Sequence, residues 1–219
     1  MTRHRRLLTS ALLALPAAVW APAHATEIYA PLGLPGVGIG IAQPLGDMFG
    51  LRADYMTLGK REKDVEESGI NYRGQYKLNR GALLLDIFPF SGSFRFTVGA
   101  TANTYKIALD ATGAGGTMTI GSRTYTTTAA DGLNVQVSFP KSAPYVGLGW
   151  GHHTGSGFRF SADIGAALGK ARLTATPRGA LANQADIQAN IDKELVDVRD
   201  GVGKVTFIPQ LSIGLGYSF

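Results

Sequence analysis

Apolar and polar residues alternate with a period of two along much of the chain, most regularly over residues 205–219. Val205, Phe207, Pro209, Leu211, Ile213, Leu215, Tyr217 and Phe219 share one parity; Thr206, Gln210, Ser212, Gly214, Gly216 and Ser218 share the other, and Ile208 is the exception. Successive strand side chains point to opposite faces, so this segment predicts a strand with one apolar and one polar face. It is longer than a typical soluble strand and ends on an aromatic, whereas ~9–11 tilted residues suffice to cross a bilayer.

The same alternation recurs upstream. Val37, Ile39 and Ile41 alternate with Gly38, Gly40 and Ala42, and Phe49, Leu51, Ala53 and Tyr55 oppose Gly50, Arg52 and Asp54. Phe94, Phe96, Val98, Ala100 and Ala102 oppose Arg95, Thr97, Thr101 and Asn103. Val146, Leu148 and Trp150 alternate with Gly147, Gly149 and Gly151, with Tyr145 placed to cover the bare backbone. Phe158, Phe160, Ala162 and Ile164 oppose Arg159, Ser161, Asp163 and Gly165. Over 72–90 the pattern slips between Leu78 and Leu83, which predicts a bulge near Asn79-Arg80-Gly81.

Two stretches differ. Residues 111–135 form a polar insertion with a small hairpin expected around Gly121. Over 181–199, Ile187, Ile191, Leu195 and Val198 recur at helical spacing, predicting one helix inside a loop. Turns at Gly46, Ser91 and 152–157 are short, and connections near 60–71, 110–140 and 173–203 are long. Seven strands follow directly, and antiparallel closure asks for an eighth, Glu27–Leu34, turning at Pro35-Gly36. Phe49, Phe88, Phe90, Phe94, Phe96, Trp150, Phe158, Phe160, Tyr217 and Phe219 gather near the short turns, as an interfacial aromatic girdle would.

Residues 1–25 read as a secretory signal peptide: Arg3, Arg5 and Arg6, an apolar run over 7–20, and Ala23-His24-Ala25 for cleavage. Without its three arginines the net charge falls from +5 to +2, so the basic balance is no nucleic-acid footprint. With no cysteine, disulfides and thiolate metal sites are excluded.

Residues 26–219 resemble the small eight-stranded outer-membrane barrels of Gram-negative bacteria, the OmpA/OmpX type. The resemblance rests on Leu211-Ser-Ile-Gly-Leu-Gly-Tyr-Ser-Phe219, on Ala143-Pro-Tyr-Val-Gly-Leu-Gly-Trp150 and on Leu84-Leu-Asp-Ile-Phe-Pro-Phe90. It implies an all-β fold, an eight-stranded antiparallel transmembrane β-barrel with one helix in its last long loop. It implies a monomer in the cell outer membrane, among outer-membrane lipid and lipopolysaccharide. Leu211, Ile213, Leu215, Tyr217 and Phe219 match the C-terminal signal read by the barrel-assembly machinery.

Arg52, Asp54, Asp86, Arg95, Arg159 and Asp163, with Arg73 beside them, are expected to project into the lumen. Eight strands leave room only for side chains, which favours a closed interior of paired charges over a conducting pore. A lipid A deacylase of barrel type uses His-x-Ser, and His152-His-Thr-Gly-Ser156 has the wrong spacing, so His152 and His153 read as turn residues. No cofactor, metal or nucleic acid is expected. The expected role is structural or surface-interacting without catalysis; a small-solute channel is the second reading and a lipid A-modifying enzyme the third.

Overall fold

The computed structural model describes residues 26–67, 70–113 and 115–219; the signal-peptide segment lies outside them. In chain order the strands are β1 (Glu27–Leu34), β2 (Gly36–Pro44), β3 (Phe49–Glu67), β4 (Ile70–Ile87), β5 (Phe94–Gly113), β6 (Gly116–Ile120), β7 (Arg123–Thr127), β8 (Gly132–Ser138), β9 (Ser142–Trp150), β10 (Gly157–Leu168) and β11 (Arg172–Arg178). Helices α1 (Ile187–Glu194) and α2 (Val196–Gly203) and the last strand, β12 (Phe207–Ser218), follow. Hydrogen-bonded neighbours run β5-β4-β3-β2-β1-β12-β10-β9 and return to β5, a closed ring of eight antiparallel strands. Every backbone ladder in the ring has a partner on both sides, which removes the exposed edge.

Alternation sets the two faces. On β12, Leu211, Ile213, Leu215 and Tyr217 are exposed while Gln210, Gly214, Gly216 and Ser218 are buried. The outward face carries Ile28, Ile39, Leu51, Leu83, Val98, Leu148, Ile164 and Leu215, all well exposed. The interior is polar: Arg52, Arg80, Asp86, Arg95, Thr97, Thr101 and Ser161 are buried. A soluble monomer rarely exposes so large a contiguous apolar surface.

Above the ring the polarity reverses. β5 continues to Gly113 and pairs with β8, which pairs with β11. On this extension Ile107, Val137 and Leu173 share the inner face, while Lys106, Ser138 and Arg172 share the outer one. The slip in β4 therefore has a different cause from the one its sequence suggests. β4 runs without a bulge, and the register shift lies opposite it, between Thr57 and Gly59 of β3. Gly59 takes φ 75° there, and its N–H donates to Thr57 Oγ1 at 2.8 Å. What changes along β4 is which face is apolar: Leu83 and Leu85 face outward within the ring, whereas Leu78 and Tyr76 lie on the inner face above it.

The long connections fold together. Met118, Ile120 and Tyr125 of the β6–β7 hairpin pack with Leu181, Ile187, Ile191 and Leu195 in a small second core, which Leu133, Leu173 and Ala175 complete. The hairpin turns at Gly121, whose N–H donates to Glu194 Oε2 at 2.9 Å. The expected single helix is two, meeting at Leu195. Val196, Val198, Gly201 and Gly203 are weak helix formers, and Val198 stays exposed rather than joining the apolar stripe. A separate cluster of Tyr105, Phe139, Ala143, Ala167 and Ala171, with Leu78, Val202 and Ile208, closes the ring beneath α2.

Candidate functional site: a charge-paired interior

Glycines on the inner wall make room for large polar side chains. A Cβ on Gly40 would lie 2.4 Å from the Tyr29 ring, and one on Gly165 would lie 2.3 Å from the Tyr145 hydroxyl. At Gly149 a Cβ would meet the Arg95 guanidinium at 2.7 Å and Asp163 Oδ1 at 2.8 Å. Tyr145 thus lies over Gly147 and Gly165, covering bare backbone as its parity suggests.

Four charges meet at mid-depth. Arg52 Nε is 2.5 Å from Asp86 Oδ2, and Arg52 Nη2 is 3.2 Å from Asp163 Oδ1. Arg95 Nη2 is 2.7 Å from the same Asp163 oxygen, and its Nε is 3.3 Å from Asp86 Oδ1. The Thr97 hydroxyl donates to Asp86 Oδ1 at 2.6 Å, and Arg95 Nη1 donates to the Gly151 carbonyl at 2.9 Å. Each carboxylate faces both guanidiniums, so the cluster is neutral. Taking such charges out of water costs several kcal/mol per ion, and only this multiple pairing offsets it.

A second pair stands toward the long-loop end. Arg80 Nη2 is 2.9 Å from Asp54 Oδ1, the Tyr29 hydroxyl donates to Asp54 Oδ2 at 3.0 Å, and the Arg80 guanidinium lies 5.6 Å from the Tyr145 ring centre. Three interior arginines therefore meet three aspartates. The cavity left among Tyr29, Arg52, Asp54, Arg80, Tyr145 and Asp163 is about 10 Å³, room for about one water.

At the short-turn end His152 departs from its expected role as a plain turn residue. It is 2% exposed, its Nδ1 is 3.0 Å from Glu27 Oε2, and its ring centre is 4.3 Å from that of Tyr29. It holds φ 58°, sparsely populated outside glycine, which a buried pairing of this kind fixes in place. His153 diverges and sits beside the Asp47 carbonyl at 3.3 Å.

Of the charges expected inside, Arg52, Asp86, Arg95 and Asp163 form the cluster, and Asp54 lies inside too, paired with Arg80. Arg159 does not reach the cluster; its Nη2 donates to the Thr154 carbonyl at 3.2 Å in the short turn. Arg73 is also elsewhere, exposed near the tip of the β3–β4 hairpin and 2.8 Å from Asp64. Arg80 was hidden by the expected bulge, although it shares parity with Leu84 and Asp86. Phe88 has that parity too, so it leaves the aromatic girdle and is buried, edge-on to His153 at 5.1 Å.

The other aromatics at that end remain outside. Phe158 and Tyr217 pack edge to face at 5.3 Å, as do Tyr217 and Phe219 at 5.1 Å. Leu211, Ile213, Leu215, Tyr217 and Phe219 form one exposed row, and Phe219 N–H donates to the Thr26 carbonyl at 3.1 Å. A hollow of about 930 Å³ opens at the opposite end, where Asp64, Arg73, Asp110 and Arg178 line it. Among the described residues no three His, Cys, Asp or Glu side chains are placed to hold a metal ion.

No family model and no curated protein sequence matches the chain. Solved structures do match, among them two from Acinetobacter baumannii. One, of Acinetobacter baumannii CarO2, superposes with a TM-score of 0.56 at 16% identity over 90% of this chain and 99% of that one. Another, of Acinetobacter baumannii CarO, gives 0.54 at 16% identity over 90% and 98%. The chain therefore shares the fold of these two proteins over nearly their whole length.

Proposed function

We propose that the chain is an integral outer-membrane protein, an eight-stranded transmembrane barrel with a structural or surface-interaction role and no catalysis. The observation that carries this reading is the inverted polarity of the ring, apolar outward and ion-paired inward. Along β12 the apolar row from Phe207 to Phe219 spans twelve steps, which at ~3.3 Å each and a tilt of ~40° gives roughly 30 Å of height. That matches a bilayer core. The exposed C-terminal row supports recognition by the barrel-assembly machinery, and the signal-peptide reading supports export. The shared fold with the two Acinetobacter proteins agrees with an outer-membrane barrel.

The channel reading fares worse because three arginines, three aspartates, Tyr29 and Tyr145 fill the interior, and Tyr105 and Phe139 close its far end. The enzyme reading fares worse because His152 is buried against Glu27 at the short-turn end. Planar-bilayer recording tests the preferred role: the purified protein should insert without unitary current steps. Steady large currents would favour the channel.

A further inference from the structure

Three lysines stand in one row on the outside of the ring wall. Lys60 of β3 is the direct cross-strand partner of Lys77 of β4, and Lys77 is the partner of Lys106 of β5. Cross-strand partners share a face. Tyr105, the neighbour of Lys106, is buried inward, so the row faces outward, and all three lysines are exposed. Through Ser138 the row continues to Arg172. Like charges directly opposite one another destabilise a sheet. Glu62, two residues along, contacts Lys60; no carboxylate among the described residues pairs with Lys77 or Lys106.

The height of the row is informative. Phe49, Ile87 and Phe96 form one cross-strand row near the short turns, and Lys60, Lys77 and Lys106 form another ten ladder steps above it. Between them the outward positions are Leu51, Leu85 and Val98, then Ala53, Leu83 and Ala100, then Tyr55, Gly81 and Ala102. A single polar row of Thr57, Asn79 and Thr104 precedes the lysines. Ten steps at ~3.3 Å and ~40° tilt amount to roughly 25 Å, the thickness of the apolar band of such barrels. The lysines therefore stand where the hydrocarbon ends and headgroups begin, and their long stems can lie along the apolar wall while the ammonium groups reach out.

We propose that Lys60, Lys77 and Lys106 bind the phosphate groups of an anionic glycolipid in the outer leaflet. This rests on the membrane-spanning reading above and adds a specific lipid site to it. The row would be self-repelling without an anion, and a phosphorylated headgroup at that depth supplies several negative charges at once.

The test uses the full chain refolded in neutral detergent and titrated with lipid A, with dephosphorylated lipid A and with inorganic phosphate, retention being read by native mass spectrometry. Lipid A should be retained well above the other two. Each Lys→Gln substitution should weaken retention roughly fivefold, and Lys60→Gln/Lys77→Gln/Lys106→Gln together about a hundredfold, while the three Lys→Arg changes keep it. The triple Gln variant should be as heat-stable as wild type, or more so, in neutral detergent, and less stable once lipid A is present. Equal retention of lipid A by wild type and the triple Gln variant would overturn the proposal, as would equal retention of the dephosphorylated lipid. Binding of inorganic phosphate as strong as that of lipid A would replace the lipid site with a simple anion site. Vesicle flotation separates the two levels of the argument: failure of wild type to insert removes the membrane reading, whereas insertion with unchanged lipid retention removes only this site.

Discussion

Arg52 and Asp86 meet diagonally across β3 and β4, Nε to Oδ2 at 2.5 Å, with both side chains almost wholly out of solvent. Asp86 also holds Arg95 and accepts from Thr97, so one carboxylate anchors two guanidiniums. Asp86→Ala leaves two buried guanidiniums sharing the single carboxylate of Asp163 and should cost ~3–5 kcal/mol. Adding Arg52→Ala should recover part of that loss, because it leaves Arg95 and Asp163 as a balanced pair. Urea unfolding in detergent micelles measures the cycle; strictly additive single losses would mean that water already screens the cluster.

Gly40 and Tyr29 test the packing side of the same interior. A methyl at Gly40 meets the ring at 2.4 Å, so Gly40→Ala should destabilise by about 1–3 kcal/mol. In a Tyr29→Leu background the same substitution should cost little. Unfolding midpoints of the four proteins give the coupling directly, and an unchanged cost in the Leu background would place the tyrosine elsewhere.

Asp131 ties the outer loops together. Its carboxylate accepts from the Thr128 N–H at 2.8 Å, the Thr128 hydroxyl at 2.9 Å and the Ala180 N–H at 2.5 Å. The Thr128 backbone bond, with the others behind it, holds its pKa below the ordinary 3.8. A depressed carboxylate contributes stability that is complete above its unfolded pKa and lost as pH falls through the folded one. Cleavage of the outer loops by an acid-active protease should therefore rise only below pH 3.8, with the ring intact. Asp131→Asn should already be cleaved readily in mild acid above pH 3.8 and show no such rise.

Phe219 closes the exposed aromatic row and ties the chain end to Thr26. Deleting it should reduce the heat-modifiable form recovered from outer membranes, while refolding in detergent is largely kept. Undiminished membrane yield would separate this residue from assembly.

Much of the fold was legible because period-two alternation reports which side chains share a face of the sheet. Glu27–Leu34 was reached by parity and forms a strand despite Pro31, although its ladder to β2 skips Ala30 and Pro31. The same signal misled over β4. There the polarity of the two faces reverses while the register of β4 does not shift, and such a reversal looks identical to a bulge when only one strand is read. Taken as a bulge, the reversal leaves the inward facing of Arg80 undetermined. Parity also places Phe88 inward, but its aromatic character and closeness to a turn suggested a girdle. His152 was illegible for another reason: its partner, Glu27, is 125 residues away, and only ring closure through β1 and β12 brings the two ends together. The two helices could not be told from one because their apolar stripe continues through Leu195, and the break follows from weak propensity beyond it.

The most direct test of a closed ring with lipid outside and paired charge inside is a label scan along β5. The chain has no cysteine, so single substitutions from Phe96→Cys to Lys106→Cys can each carry one nitroxide label. In bilayers, labels at 96, 98, 100 and 102 should be accessible to oxygen, and those at 97, 101 and 103 shielded from both oxygen and a water-soluble relaxant. The label at 106 should meet water. Loss of the two-residue period, or relaxant reaching 97, 101 and 103, would contradict the account, the first by removing the membrane face and the second by opening the interior.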